Sequence, residues 1–210
     1  MQPEEQRAER SRDLERVLTY VDAIAAVAIT LLILPLVDLA GEIRSEHDSV
    51  SALIRSHAGE FWGFALSFVV IARLWFSQHR LMRPVVTANR PLLFWLLLWT
   101  FAIVFLPFPT ALLSIGGDQP ITKVLYIGTL ALSSFCLALL AVAIGRDRSV
   151  RESDEGPPAA PAVVTGVLFV VALVVSLLVP STGYYPLLLL VATDGVISLW
   201  RKLIARRPRS

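Results

Sequence analysis

From Ala23 to Leu36, fourteen consecutive residues carry no charge, and a single acid, Asp22, stands at the head of the run. The run lies within Arg16–Leu36 (RVLTYVDAIAAVAITLLILPL), the first of several stretches of this kind. Crossing the hydrocarbon core of a bilayer as a helix takes about 20 mostly apolar residues, with a range of roughly 17 to 25. Six windows meet that length, at about residues 17–37, 59–79, 91–113, 121–144, 161–179 and 184–200. The expected fold is therefore all-α, a polytopic membrane protein with six transmembrane helices per subunit. Composition agrees: 17% of the 210 residues are charged, against about 25% in soluble domains.

The basic residues orient the spans. Fifteen fall in the N-terminal segment, the second and fourth loops and the C-terminal tail, against Arg44, Arg55 and Lys123 on the other side. The positive-inside rule then places both termini in the cytoplasm, as an even number of spans requires. The expected organisation is a cytoplasmic N-terminal segment over 1–15, a six-helix domain over 16–204 and a basic tail over 205–210. The start, MQPEEQRAERSRDLER, is too acidic and too long for the leading region of a signal peptide, so the first span is expected to be retained. Between the fourth and fifth spans, GRDRSVRESDEGPPAAP reads as a mobile, mixed-charge linker. The first loop holds Val50, Leu53 and Ile54 at near-helical spacing, which suits a short interfacial helix or an ordinary exposed loop.

Several functions are excluded at this level. A net charge of +2 and a pI near 9.0 would admit nucleic acid, but the arginines sit beside apolar segments rather than in one basic domain. The lone Cys136 allows neither an intrachain disulfide nor a cysteine metal site. No hydrolase, nucleotide or phosphate signature is present, and His47, His57 and His79 lack metal-ligand spacing, so neither an enzyme nor a metal site is expected.

An acid in a hydrocarbon-spanning run is costly and marks Asp22 as a functional candidate. On a helix, Val27, Leu31 and Leu34 share one face, with Asp22 about 140° round from that line. Trp75 and His79, four residues apart, share one face at the cytoplasmic end of the second span. Their depth matches that of Asp22, so an Asp22–His79 contact braced by Trp75 is one reading; an interfacial belt tryptophan beside a solvated histidine is the other. Arg73 and Asp194 also share a depth. They either pair, or Arg73 snorkels to the headgroups.

The motifs resemble a known family. Arg16-x-x-x-Tyr20-Val21-Asp22 with its following helix is similar to the R-x-x-x-F-S-D signature of the endolysosomal potassium channel called transmembrane protein 175 and its prokaryotic relatives. FALSFVVIARLWFSQHRLM resembles that family's second helix, with its aromatic-x-x-Ser-Phe run and W-x-x-x-H-R-L ending, and LPFPTALL (Leu106–Leu113) resembles the end of its third. The resemblance implies a homotetrameric, potassium-preferring channel in a prokaryotic plasma membrane, with six helices per subunit and no cofactor beyond permeant K+ and other monovalent cations. It implies a pore lined by the first helix, with constriction layers at Val27, Leu31 and Leu34 and Thr30 as a polar flank. It further implies that Arg16, Tyr20, Asp22, Trp75 and His79 belong to the motifs that hold the first helix against its neighbours. Two positions depart from the family pattern: Tyr20-Val21 replaces Phe-Ser, and Val27 replaces a larger isoleucine or leucine.

Two other functions compete. A secondary transporter or proton pathway would use Asp22, His79 and Asp194 as relay groups, although all three lie toward the cytoplasmic end rather than the midplane. A membrane scaffold without transport would leave the polar residues purely structural.

Overall fold

The computed structural model describes residues 3–41, 50–116 and 119–179. The sixth window (about 184–200), Asp194, His47 and the 205–210 tail lie outside the described residues. Eight α-helices are found among the described residues: α1 (Pro3–Leu31), α2 (Leu34–Ala40), α3 (Val50–Ser56), α4 (Ala58–Met82), α5 (Arg90–Phe105), α6 (Pro107–Gly116), α7 (Pro120–Arg146) and α8 (Ala160–Leu178). They form five segments long and apolar enough to cross a membrane: Ser11–Leu39, Ala58–Met82, Arg90–Leu113, Pro120–Arg146 and Ala160–Leu178. These correspond to the first five windows of the sequence. The polar N-terminal segment is helical from Pro3 and continuous with the first span, and Val50–Ser56 of the first loop forms the short helix α3.

Two of the five segments are broken by proline. Pro35 has no N–H to give to the Leu31 carbonyl, and its ring crowds that carbonyl. The backbone tightens ahead of it, with Ile33 N–H on Thr30 O at 3.3 Å, and α2 restarts with Pro35 in its first turn. Pro107 acts likewise on Ile103. The Leu106 N–H takes that carbonyl at 3.2 Å, and α6 begins at Pro107. Both breaks fall inside windows that the sequence presents as uninterrupted apolar runs.

The helix α7 is the centre of the subunit. It packs most extensively against α8 and α5, and also against α4 and α6. Its buried residues include Tyr126, Ile127, Leu130, Cys136, Leu137, Leu140 and Ile144, and only a stripe through Ile121, Val124, Leu132 and Leu139 faces outward. Close packing with α8 depends on Gly166, where an added Cβ would stand about 3.0 Å from the Phe135 ring. Small residues at such crossings let backbones approach, which is how helices gain contact in lipid.

The linker over 145–161 departs from expectation in its first half. Val86 N–H bonds Val150 O at 2.9 Å, and Glu152 N–H bonds Pro84 O at 2.9 Å. Asp147 adds side-chain bonds: Asn89 Nδ2 donates to its Oδ2 at 2.9 Å, and Ser149 donates to its Oδ1 through both N–H (2.9 Å) and Oγ (2.6 Å). Asn89 also caps α5 by accepting the Leu92 N–H. These bonds fasten residues 147–152 to the α4–α5 loop.

Candidate functional site

The faces of α1 divide sharply. Leu14, Val21, Ala25, Ala28 and Leu32 are buried against the rest of the subunit, at spacings of three, four and seven residues that keep one side inward. Opposite them, Tyr20 (62% exposed), Val27 (58%), Leu31 (40%) and Leu34 (52%) project from the subunit. Branched and aromatic side chains thus form one line on the outside of a single chain. The line crosses the break before Pro35, because Leu34 is the first residue of α2. Thr30, at the edge of the line, donates its hydroxyl to the Val27 carbonyl at 2.7 Å. Its oxygen keeps its lone pairs as acceptors.

Asp22 is half-buried, and its partner is an indole: Trp75 Nε1 donates to Oδ1 at 2.8 Å. The His79 ring packs on that indole, with centroids 5.8 Å apart and planes at 34°. The structure therefore brings Asp22, Trp75 and His79 together in the order acid, indole, imidazole. No ion pair joins Asp22 to His79; Trp75, one turn earlier on α4, takes the carboxylate. Arg16 and Tyr20 are exposed instead. Together with Arg12, Glu15, Thr19 and Ala23 they line an open groove of about 480 Å³ along the outer face of α1. Val21, where the family signature has serine, is fully buried. A valine there needs no hydrogen-bond partner, whereas a buried hydroxyl does.

A second polar cluster was not singled out from the sequence. Tyr126 OH lies 2.9 Å from Ser67 Oγ, and Ser67 Oγ lies 3.2 Å from Thr110 Oγ1, which donates to the Leu106 carbonyl at 2.9 Å. Since Thr110 spends its proton on Leu106, the donors run from Tyr126 to Ser67 to Thr110. The serine of the aromatic-x-x-Ser-Phe run and the threonine of LPFPTALL, quoted from two separate motifs, thus meet in the core. That pairing of polar residues inside apolar motifs was the available signal. Lys123, counted from the sequence among outer basic residues, is 2% exposed and donates to Ser176 O at 3.1 Å near the C-terminus of α8. A cation is well placed there, beside the last carbonyls of a helix.

Of the outer-loop histidines, His57 lies against Leu53 O (3.1 Å) and Ser56 Oγ (3.0 Å), joining α3 to α4. Among the described residues no three histidine, cysteine or acidic side chains are grouped to hold a metal ion. Arg73 lies within α4, and its suggested partner Asp194 is outside the described residues.

Residues 16–107 match the family model of the endosomal/lysosomal potassium channel TMEM175. Over these residues the chain is similar to the TMEM175 family. It is 31% identical over 129 residues to a potassium channel of Chamaesiphon minutus, covering 61% of this chain and 60% of that one. It is 33% identical over 100 residues to a potassium channel of Streptomyces collinus, covering 47% of each. The chain thus spans 60% or less of the length of these curated relatives. The crystal structure of a lysosomal potassium-selective TMEM175 homolog from Chamaesiphon minutus superposes with a TM-score of 0.63 at 21% identity, over 93% of this chain and 99% of that one. The TMEM175 fold is therefore present along nearly the whole chain, and the family match covers the helices that carry the exposed α1 line, Asp22 and Trp75.

Proposed function

We propose that this chain is one subunit of a homotetrameric, potassium-preferring cation channel in a prokaryotic plasma membrane. Each subunit has six spans and cytoplasmic termini, and α1 from each subunit lines the pore. One observation carries the reading. Among the residues a lone subunit leaves uncovered on its first span, Val27, Leu31 and Leu34 are aligned branched apolar side chains opposite the buried face of that span. Rings of such side chains around an axis make a narrow constriction that resists wetting, and a conducting ion must shed part of its hydration there. Potassium is less strongly hydrated than sodium and passes with less difficulty. The relatives' names, potassium channel and potassium-selective channel, support the same ion. Thr30 supplies lone pairs beside the constriction. Asp22, Trp75 and His79 brace α1 against α4.

A proton relay is less well supported. The indole of Trp75 stands between Asp22 and His79, and an indole N–H donates without accepting.

The test is flux from purified protein in liposomes, followed by single-channel recording with potassium and sodium on opposite sides. Passive potassium-preferring current is expected, with Leu31→Ala raising conductance and reducing discrimination. Substrate-coupled flux, or unchanged conductance and reversal potential in alanine variants of Val27, Leu31 and Leu34, overturns the reading. For topology, Gln119→Cys should label from outside intact cells and Ser153→Cys should not.

A further inference from the structure

The exposed line of α1 does not stop at Val27. Tyr20 lies seven residues before it, about 10 Å along the axis and about 20° round, on the same side of the helix. It is the most exposed large hydrophobic side chain of α1 and forms part of the groove wall. Asp22 is about 160° away from Tyr20 and is engaged by Trp75. Further toward the N-terminus the strip carries Glu9, Arg12, Asp13 and Arg16, all exposed. Glu15 is exposed beside them and shares the groove wall with Tyr20, so three acids face two bases among these side chains, a balance that does not repel a monovalent cation.

We propose that the Tyr20 rings of the assembled channel form a binding site for quaternary ammonium ions at the N-terminal mouth of the pore, where an occupied site blocks conduction. This rests on the pore reading given above. A quaternary ammonium offers no hydrogen-bond donor, so it is recognised by aromatic faces, which attract a weakly hydrated cation within about 6 Å of the ring centroid. Symmetry places one phenol per subunit around the axis, giving such an ion several faces at once. The apolar layer at Val27, two turns further in, is too narrow for an ion that cannot be stripped to a smaller size. The ion halts at Tyr20, whereas hydrated potassium moves on. The family signature has phenylalanine at this position, so the chemistry requires the ring rather than the hydroxyl.

The experiment applies tetraethylammonium to either side of bilayers holding the full-length channel. Block is expected from the side of the N-terminus only. Tyr20→Phe should keep the half-blocking concentration within about twofold, and Tyr20→Leu, which keeps apolar bulk but removes the ring, should raise it about tenfold. If Tyr20→Leu fails to assemble, Tyr20→Trp decides, because the stronger indole face should lower the half-blocking concentration a few-fold. Unchanged block in Tyr20→Leu, an unchanged or raised value in Tyr20→Trp, equal block from both sides, or none in the wild type overturns the site. The Leu31→Ala variant separates the two failures. If its conductance changes while Tyr20→Leu leaves block alone, only the Tyr20 site is wrong; if its conductance is unchanged, the pore reading falls and the site with it.

Discussion

The spans α1 and α7 are equally apolar, yet 22% of the one and 67% of the other is buried within the subunit. In α7 the buried set covers all but one narrow outward stripe, and several of its buried polar residues are satisfied within the subunit. Thr129 and Ser134 donate to carbonyls four residues back, Lys123 caps α8, and Tyr126 bonds Ser67. In α1 one face is inward, and the other presents Tyr20, Val27, Leu31 and Leu34 to the outside. Apolarity alone therefore says that a helix crosses the membrane. How the burial is distributed says whether it builds the subunit or serves what lies beyond it.

The sharpest way to break this comparison is to place the same polar group in both helices. Leu130 on α7 is fully buried, and Leu130→Asn leaves an unpartnered amide in a packed core at a cost of several kcal/mol. We expect loss of monodisperse protein on size-exclusion chromatography. Val27→Asn on the exposed face of α1 should leave the subunit folded and change conduction instead. Equal loss of folded protein in the two variants would mean that the exposed face of α1 is as structural as the core of α7.

Much of α1 was legible because a helical period relates residues of one element. The alignment of Val27, Leu31 and Leu34 and the place of Asp22 away from it needed only 3.6 residues per turn. The shared face of Trp75 and His79 was legible for the same reason, but which of them reaches Asp22 depends on how α1 crosses α4, and no spacing encodes that. The role of α7 was hidden because its outward stripe (Ile121, Val124, Leu132 and Leu139) is as apolar as its buried face and leaves no periodic signature, and Lys123 looked like a flanking charge. Pro35 and Pro107 were visible as prolines, but an apolar window runs across them without registering a break. The fastening of the linker was the most recoverable omission. Asp147-Arg148-Ser149 is a sequence that favours an Asx-type turn, and Asn89-Arg90-Pro91 is a helix start with its cap and early proline.

A smaller effect sharpens the account of how α1 is held. Asp22→Asn keeps an acceptor for the Trp75 indole but removes its charge, and a hydrogen bond to a charged group is worth about 1.5–3 kcal/mol against about 1 for a neutral one. The variant should melt or dissociate earlier by an amount of order 1 kcal/mol, with the ion preference of surviving channels unchanged. Trp75→Phe should act alike, and the double variant should cost less than the sum of the two. Normal assembly of Asp22→Asn with loss of only a pH dependence would assign the acid to proton sensing.

Within α7, the Tyr126–Ser67 bond gives a weaker handle. Coupling between polar side chains of packed membrane helices averages about 0.6 kcal/mol and reaches about 1.7. A double-mutant cycle of Tyr126→Phe and Ser67→Ala should fall in that range by unfolding in mixed micelles. Zero coupling would reduce the polar chain to shape-filling.

The smallest effect is expected where α7 leaves the membrane. Asp147 is half-buried, and its carboxyl is held below the ordinary carboxylate range, first by the Ser149 hydroxyl, then by Asn89 and the Ser149 N–H, against a small opposing cost of desolvation. A carboxyl whose value is lowered in the folded state contributes stability above its unfolded value, about 3.9, and loses it as the pH falls through the lowered folded value. The fastening of 147–152 to the α4–α5 loop should therefore be intact at neutral pH and weaken only on strong acidification. Hydrogen exchange reads this locally. At neutral pH, Asp147→Ala should lower protection at the Ser149 amide, which loses its acceptor, and at the Val86 and Glu152 amides, which bond across the two loops. Amides in the middle of α7 should be unaffected, because their bonds close within the helix and do not depend on the linker. Protection lost along α7 as well would make the linker part of the core, whereas unchanged protection at Ser149, Val86 and Glu152 would show that the backbone bridge holds the loops without the acid.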